Sequence, residues 1–279
     1  MLRIAASLSL VAWLPHAGLC PAVADDAREE RRAEMLEQMQ SRATDTAVRF
    51  VAGSDDPQLV EKPVFRYDDQ PRLLADATLW TWTHKGRPVA FQKIEAGDIG
   101  GSAMWQYCFS SLAEDRLEAE WKDIRKFRAK EAGVVYRPAP GAPAVASRST
   151  ERRRQIRELA RAFSARIVPN PERDEDQEMR LLTTPIFEYN EPKTELLQGA
   201  VFGYSTNGTN PDLLVVFEAR PDAGKPAWHF APARMTIGAI TVSYGKQKVW
   251  ECEFVEPGQN EFPTWTYFQT DRKVVKEEP

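Results

Sequence analysis

The sequence predicts an α+β fold: two tandem copies of a helix packed on an antiparallel β-meander. Three observations predict it. A block of short aromatic-rich strands occurs twice, each block follows an amphipathic helical stretch, and tight-turn signals rather than helices join the strands. Pro63-Val64-Phe65-Arg66-Tyr67 returns as Pro185-Ile186-Phe187-Glu188-Tyr189, and Leu74, Trp80, Trp82 and Gly86 match Leu196, Phe202, Tyr204 and Gly208, all at an offset of 122 residues. Beyond that glycine the offset is 123, which pairs Pro88 with Pro211, Ile94 with Phe217, Glu95-Ala96 with Glu218-Ala219, Trp105 with Trp228 and Leu112 with Met235. The one extra residue falls between Gly208 and Pro211, in a turn, where an insertion costs little. A solenoid is excluded because its units run roughly 20 to 50 residues.

In chain order, residues 1–24 read as a signal peptide. Arg3 supplies the positive start, Ile4 to Leu14 an apolar run of 11 residues, and Ala22-Val23-Ala24 a small-residue cleavage site before the charged Asp25-Asp26. The run is shorter than the roughly 20 apolar residues a bilayer span needs. Cys20 follows Leu19, where a lipoprotein site wants a small residue. An exported protein, periplasmic or extracellular and without a membrane span in its mature part, is expected.

Residues 25–136 form the expected first copy. Leu36, Met39, Ala43, Ala47, Phe50 and Val51 recur at helical spacing, with Gly53 and Pro57 as the stop. The proline-rich stretch 137–149 reads as an extended linker. The second copy, 150–254, opens with a helix on Ile156, Leu159, Ala160, Phe163 and Ile167, closed by Pro169, so that Phe163 corresponds to Phe50. The acidic stretch 172–178 reads as a solvated loop. In each copy the aromatic pair, Trp80 with Trp82 or Phe202 with Tyr204, is expected in the core beneath the helix. The tail 255–279, with Trp265-Thr266-Tyr267-Phe268, is expected to lie over the second meander.

Composition narrows the function. The net charge of −4 comes without a basic stripe, so nucleic acid is not an expected partner. No phosphate loop, nucleotide fingerprint, Cys-x-x-Cys or pair of histidines at ligand spacing occurs, so neither a cofactor nor a metal is expected. His84 and His229 are not counterparts, neither cysteine has a histidine nearby in sequence, and no Gly-x-Ser-x-Gly elbow occurs. Two candidate sets remain. Glu95 and Glu218 are matched carboxylates, which suit either a glycosidase-type acid–base pair or a pairing of each with an arginine of its own domain, such as Arg49 or Arg161. Cys108 and Cys252 have no counterparts, which makes them either a disulfide between the copies or two buried thiols.

The succession of signal peptide, P-[VI]-F-x-Y strand at 63–67, aromatic-x-aromatic strand at 80–82, linker at 138–143 and R-x-x-A-R-x-F-S-A helix at 157–165 resembles a family of uncharacterised exported proteins from planctomycete-type bacteria. That family carries no assigned activity, so the resemblance implies export and no residue role. The expected function is a non-catalytic module binding a ligand or protein of the cell envelope between its copies. The alternative is a hydrolase of envelope or extracellular polymers working through the two glutamates.

Overall fold

The computed structural model describes residues 21–53, 55–173, 175–191, 196–256, 259 and 262–272. The apolar run and Cys20 of the expected signal peptide lie outside the described residues. Helix α1 (Pro21–Thr44) precedes β1 (Thr46–Phe50), β2 (Gln58–Leu59), β3 (Phe65–Asp69), β4 (Leu74–His84), β5 (Arg87–Ile99), β6 (Ser102–Ser111), β7 (Leu117–Trp121), β8 (Arg125–Arg128) and β9 (Arg137–Pro138). Helix α2 (Ser149–Ala162) precedes β10 (Phe163–Val168), β11 (Gln177–Leu181), β12 (Phe187–Glu191), β13 (Leu196–Ser205), β14 (Leu213–Asp222), β15 (Lys225–Arg234), β16 (Ala239–Tyr244), β17 (Gln247–Cys252) and β18 (Trp265–Asp271).

This architecture corrects the expected α+β class. The described residues are mostly β, eighteen strands against two α-helices, in three antiparallel sheets that curl like a half-barrel, rather than two meanders each carrying a helix. One reason is that both helices end sooner than their stripes suggest. Phe163 and Ile167 are four apart, a spacing that fits a helix face and an alternating strand equally well. Between them Ala165 is also buried while Ser164 and Arg166 are exposed, so the true period is two. Thr46 and Val48 alternate likewise in β1, which moves Ala47 and Phe50 off the helix. Register then matches Phe163, opposite Tyr244, with Thr46, opposite Trp121, and not with Phe50. The acidic stretch is also partly strand, since Gln177 and Glu178 of β11 pair with Ile167 and Arg166 of β10.

The second reason is an exchange of strands. The β9 segment follows the first meander but pairs with β15 of the second, His229 lying opposite Pro138. The tail strand β18 follows the second meander and pairs with β6 of the first along Trp265–Asp271, instead of covering the second as expected. One sheet thus runs β18-β6-β5-β4-β2 with β3 also on β4, and another runs β17-β16-β10-β11-β13-β14-β15-β9 with β12 on β13. The small third sheet, β1-β7-β8, corresponds to the β10-β16-β17 end of the second, cut off because β1 does not ladder with β2 as β10 does with β11.

Within these sheets the pairings repeat under the sequence offsets. Trp80 faces Gln92 as Phe202 faces Val215, Ala90 faces Ser111 as Leu213 faces Arg234, and Tyr67 faces Ala77 as Tyr189 faces Gly199. Both first strands bulge at one place, after Tyr67 and after Tyr189. The β5–β6 turn uses Gly100 and Gly101 at φ 61° and 84°, and the β14–β15 turn uses Ala223 and Gly224 at 47° and 83°. Two successive left-handed residues are the tight-hairpin geometry whose twist suits the flanking strands.

The central strands are buried on both faces, so they read as nearly continuous apolar runs. On one face of the two larger sheets, Trp80 and Trp82 share a core with Met39 and Ala43 of α1 and with Trp121 and Phe127 of the small sheet, and Phe202 and Tyr204 share one with Ile156 and Ala160 of α2. All four aromatics are buried as expected, and Tyr204 donates its hydroxyl to the Ala160 carbonyl at 2.9 Å. The opposite faces meet each other, bringing Leu79, Phe91 and Cys108 together with Val201, Leu214 and Val216. Among the described residues no helix is long and apolar enough to cross a membrane. Replacing Trp82, 2% exposed beneath α1, with alanine is expected to cost about 3–5 kcal/mol in urea denaturation; a loss under about 1 kcal/mol would show that the helix does not cover it.

Candidate functional site

The layer between the two sheets is not wholly apolar, and its charges are the candidate site. They enter from strands whose sequence already hints at them. In Phe91-Gln92-Lys93-Ile94-Glu95-Ala96 a lysine and a glutamate sit inside a buried run, and a buried charge persists only when it is paired.

Glu218 on β14 is fully buried and closely bonded. Arg87, just past the Lys85-Gly86 turn of the first half, donates from Nε at 2.8 Å and Nη2 at 2.5 Å, one to each carboxylate oxygen. Tyr136 and Tyr189 donate to Oε1 at 2.9 and 2.6 Å. Arg87 and Arg220 stack on the Tyr136 ring at 4.9 and 4.4 Å, and Glu114 bridges the two guanidinium groups from outside. Burial, with the neighbouring carboxylate, raises the Tyr136 and Tyr189 phenols above their usual value, so both remain hydrogen-bond donors. Burial disfavours the Arg87 charge, but Tyr136 and Glu218 outweigh it and leave Arg87 above its usual value. The bonded partner of Glu218 is therefore an arginine of the other half, while Arg220 of its own strand stands 3.7 Å from Oε2. Arg49, one expected partner, instead meets Asp56 and Glu120 near the surface.

Glu95 on β5 occupies a looser setting. It accepts one bond from Tyr67 at 2.7 Å, and Lys93 Nζ stands 3.9 Å away. That ammonium is committed elsewhere, donating to Asn210 Oδ1 at 2.6 Å and to the Met235 carbonyl at 3.0 Å. Asn210 donates in turn to Asp69 Oδ2 at 3.2 Å, while the buried Asp69 Oδ1 has no hydrogen-bond partner among the described residues. Arg72 joins the halves by a two-point pair with Asp212 at 2.7 and 2.8 Å, and by a further bond to Thr206. Here too burial opposes the Arg72 charge and Asp212 outweighs it, leaving Arg72 above its usual value.

Beside Glu95 lies a cavity of about 290 Å³. Lys93, Glu95 and Gln106 line it from the first half, Asn210, Asp212 and Ile237 from the second, and Tyr267 of the tail strand closes one side. Glu218 does not line it, and among the described residues no side chain bonds both glutamates. The structure thus places Glu95 on a cavity wall and Glu218 in a closed cluster, rather than in one cleft.

Both cysteines are free thiols in the structure, Cys108 buried and Cys252 partly so. Cys108 Sγ accepts the Trp265 indole N–H at 2.8 Å, which ties β6 to the tail strand. Burial pushes the Cys108 thiol up to about 12, against the pull of Lys93 and Trp265. His84 packs edge-on to Phe50, while His229 lies 3.9 Å from Asp222, so the two histidines share no site.

Sequence reasoning passed over Arg87, Lys93, Tyr136 and Asp212. The available signal was the mismatches between the repeated segments: Lys93 against Val216, Arg87 against Asn210, Arg220 against Gly97. Compared with family models, curated proteins and solved structures, the chain finds no significant match.

Arg87→Met strands the buried Glu218 carboxylate and is expected to cost about 3–5 kcal/mol in chemical denaturation, most of it recovered when Glu218→Gln is added. Equal losses in the single and double variants would show that the pair is not coupled. Cys108 supplies a pH prediction. Its folded value exceeds the usual 9.0, so its contribution to stability is complete below about pH 9 and is lost as pH rises through about 12. Cys108→Ala is expected to lose less stability than the parent over that interval; parallel curves would contradict the raised thiol.

Proposed function

We propose that this chain is an exported, non-catalytic binding protein that arose by internal duplication and takes its ligand in the cavity beside Glu95. The observation that carries the reading is the cavity itself. It is about 290 Å³, near the lower end of small-molecule sites, and polar or charged side chains from both halves, among them Lys93, Glu95, Asn210 and Asp212, converge on it beside apolar ones such as Leu74 and Ile237. The repeated registers support the duplication. Export rests on the sequence of residues 1–24 and agrees with the resemblance drawn from it.

A polymer hydrolase finds less support. Acid–base catalysis needs a carboxyl group free to reach substrate. Glu218 accepts from Arg87, Tyr136 and Tyr189, and Asp212, the other carboxylate on the cavity wall, is held in its two-point pair with Arg72. Glu95 would have to work alone.

Two measurements test the reading. Mass spectrometry of the protein from its native host is expected to find the mature chain starting at Asp25; an intact start or lipid on Cys20 would overturn the export assignment. Ligand-observed NMR with a panel of small amines, carboxylates and monosaccharides is expected to find saturable binding by at least one class, abolished by Gln106→Trp in the cavity wall. Silence across the panel would overturn the binding reading.

A further inference from the structure

The two glutamate sites are counterparts, and comparing them identifies what the cavity lacks. Under the sequence offsets Tyr67 corresponds to Tyr189, Glu95 to Glu218, Asn210 to Arg87 and Gly97 to Arg220. The exchanged strands extend the match. Tyr267 lies opposite Cys108, and one step along the β9–β15 register places Tyr136 opposite Ala231, the counterpart of Cys108. Each site therefore has the same frame: a buried glutamate on a central strand, a tyrosine from the first strand bonded to it, and a second tyrosine on or next to the exchanged strand.

The frames differ in their cations. At Glu218 the frame is filled by Arg87, which grips the carboxylate and stacks on Tyr136, with Arg220 on the same ring. At Glu95 both arginine positions lack the side chain. Asn210 is too short to reach as Arg87 does and turns to Lys93 and Asp69. Gly97 offers nothing, and even a Cβ there would come within 2.7 Å of Gln106 Nε2. Tyr267, lacking a carboxylate bond, donates to Gln106 Oε1 at 2.7 Å. Glu95 and Asn210, the counterparts of Glu218 and Arg87, both line the cavity.

We propose that the cavity binds a compact organic cation, a guanidinium or primary ammonium head on a short body, with the head on Glu95 and its face against Tyr267. The proposal rests on the reading of the cavity as a ligand site and specifies its chemistry. Charge agrees with it. Asp69, Glu95 and Asp212 face Arg72 and Lys93, so the cluster has one more carboxyl group than it has cationic side chains. The two cations on the wall do not recruit an anion, because Arg72 is bonded to Asp212 and Thr206 and Lys93 to Asn210 and Met235. Glu95 accepts only the Tyr67 bond among the described residues, so it has acceptor capacity to spare. A planar guanidinium meets a carboxylate at two points and an aromatic ring by its face, as Arg87 does on Glu218 and Tyr136.

The test titrates the full mature chain with propylguanidinium, with its neutral isostere propylurea, and with butyrate, followed by calorimetry and amide NMR shifts. Propylguanidinium is expected to bind saturably, about tenfold or more tighter than propylurea, and to lose about tenfold in Glu95→Gln. Asn210→Arg, which tethers a guanidinium beside Glu95, is expected to fold, to melt higher than the parent and to exclude the ligand. Should Glu95→Gln fail to fold, Asn210→Arg decides alone. Equal or tighter binding of propylurea or butyrate overturns the cation assignment while leaving the cavity a ligand site. Failure of all three probes overturns the proposal, and whether the cavity reading falls too is then read from the amine, carboxylate and sugar panel.

Discussion

The ladder between β18 and β6 is the constraint on which the rest of the structure depends. Residues from near the end of the chain, Trp265 to Asp271, pair in unbroken register with Ser110 back to Met104. The β9 segment makes the reciprocal pairing on β15, though it is only two residues long. An edge strand left open is a row of unpaired backbone donors and acceptors. Here each half caps the edge of the other, so neither half completes its sheet alone. Trp265 reinforces the longer ladder, entirely buried and bonded to Cys108.

Exchange also explains why charge occurs at the centre. Once the two sheets are held face to face, their central strands have no solvent side. A polar residue on the inner face must then be paired within the layer, and several find a partner across the interface. Arg87 to Glu218, Arg72 to Asp212 and Lys93 to Asn210 are such partners, each joining one half to the other. Pairs of this kind are weak contributors to net stability, because the cost of desolvating both charges offsets most of their attraction. They do penalise any arrangement that separates them, which fixes how the sheets sit together. The Glu95 site differs, for its carboxylate accepts from Tyr67 of its own half, with Lys93 3.9 Å away and no arginine bonded to it among the described residues.

Much of the β framework was legible in the sequence. The repeated Pro-x-Phe-x-Tyr strand, the aromatic pairs at 80–82 and 202–204 and the turn signals place β3 to β6 and β12 to β15, and the offset of 122 to 123 residues reproduces their registers. The fold class was not, for physical reasons. A four-residue spacing such as Phe163 to Ile167 belongs to a helix stripe and to a strand face alike, and only burial of Ala165 separates them. Pairing between distant segments leaves no local mark, so the destinations of the linker and the tail could not be read from Arg137–Pro138 or from Trp265–Asp271. For the site, the matched glutamates were visible. Their partners were not, because the informative residues are those at which the repeated segments disagree.

If the strand exchange makes one body of the two halves, they must unfold together. Differential scanning calorimetry of the mature chain measures this most directly. A single transition whose calorimetric enthalpy equals its van't Hoff enthalpy is the expected result. Two resolved transitions, or a calorimetric enthalpy near twice the van't Hoff value, would mean that the halves fold independently, and the shared sheets and the cavity between them could not then be as described.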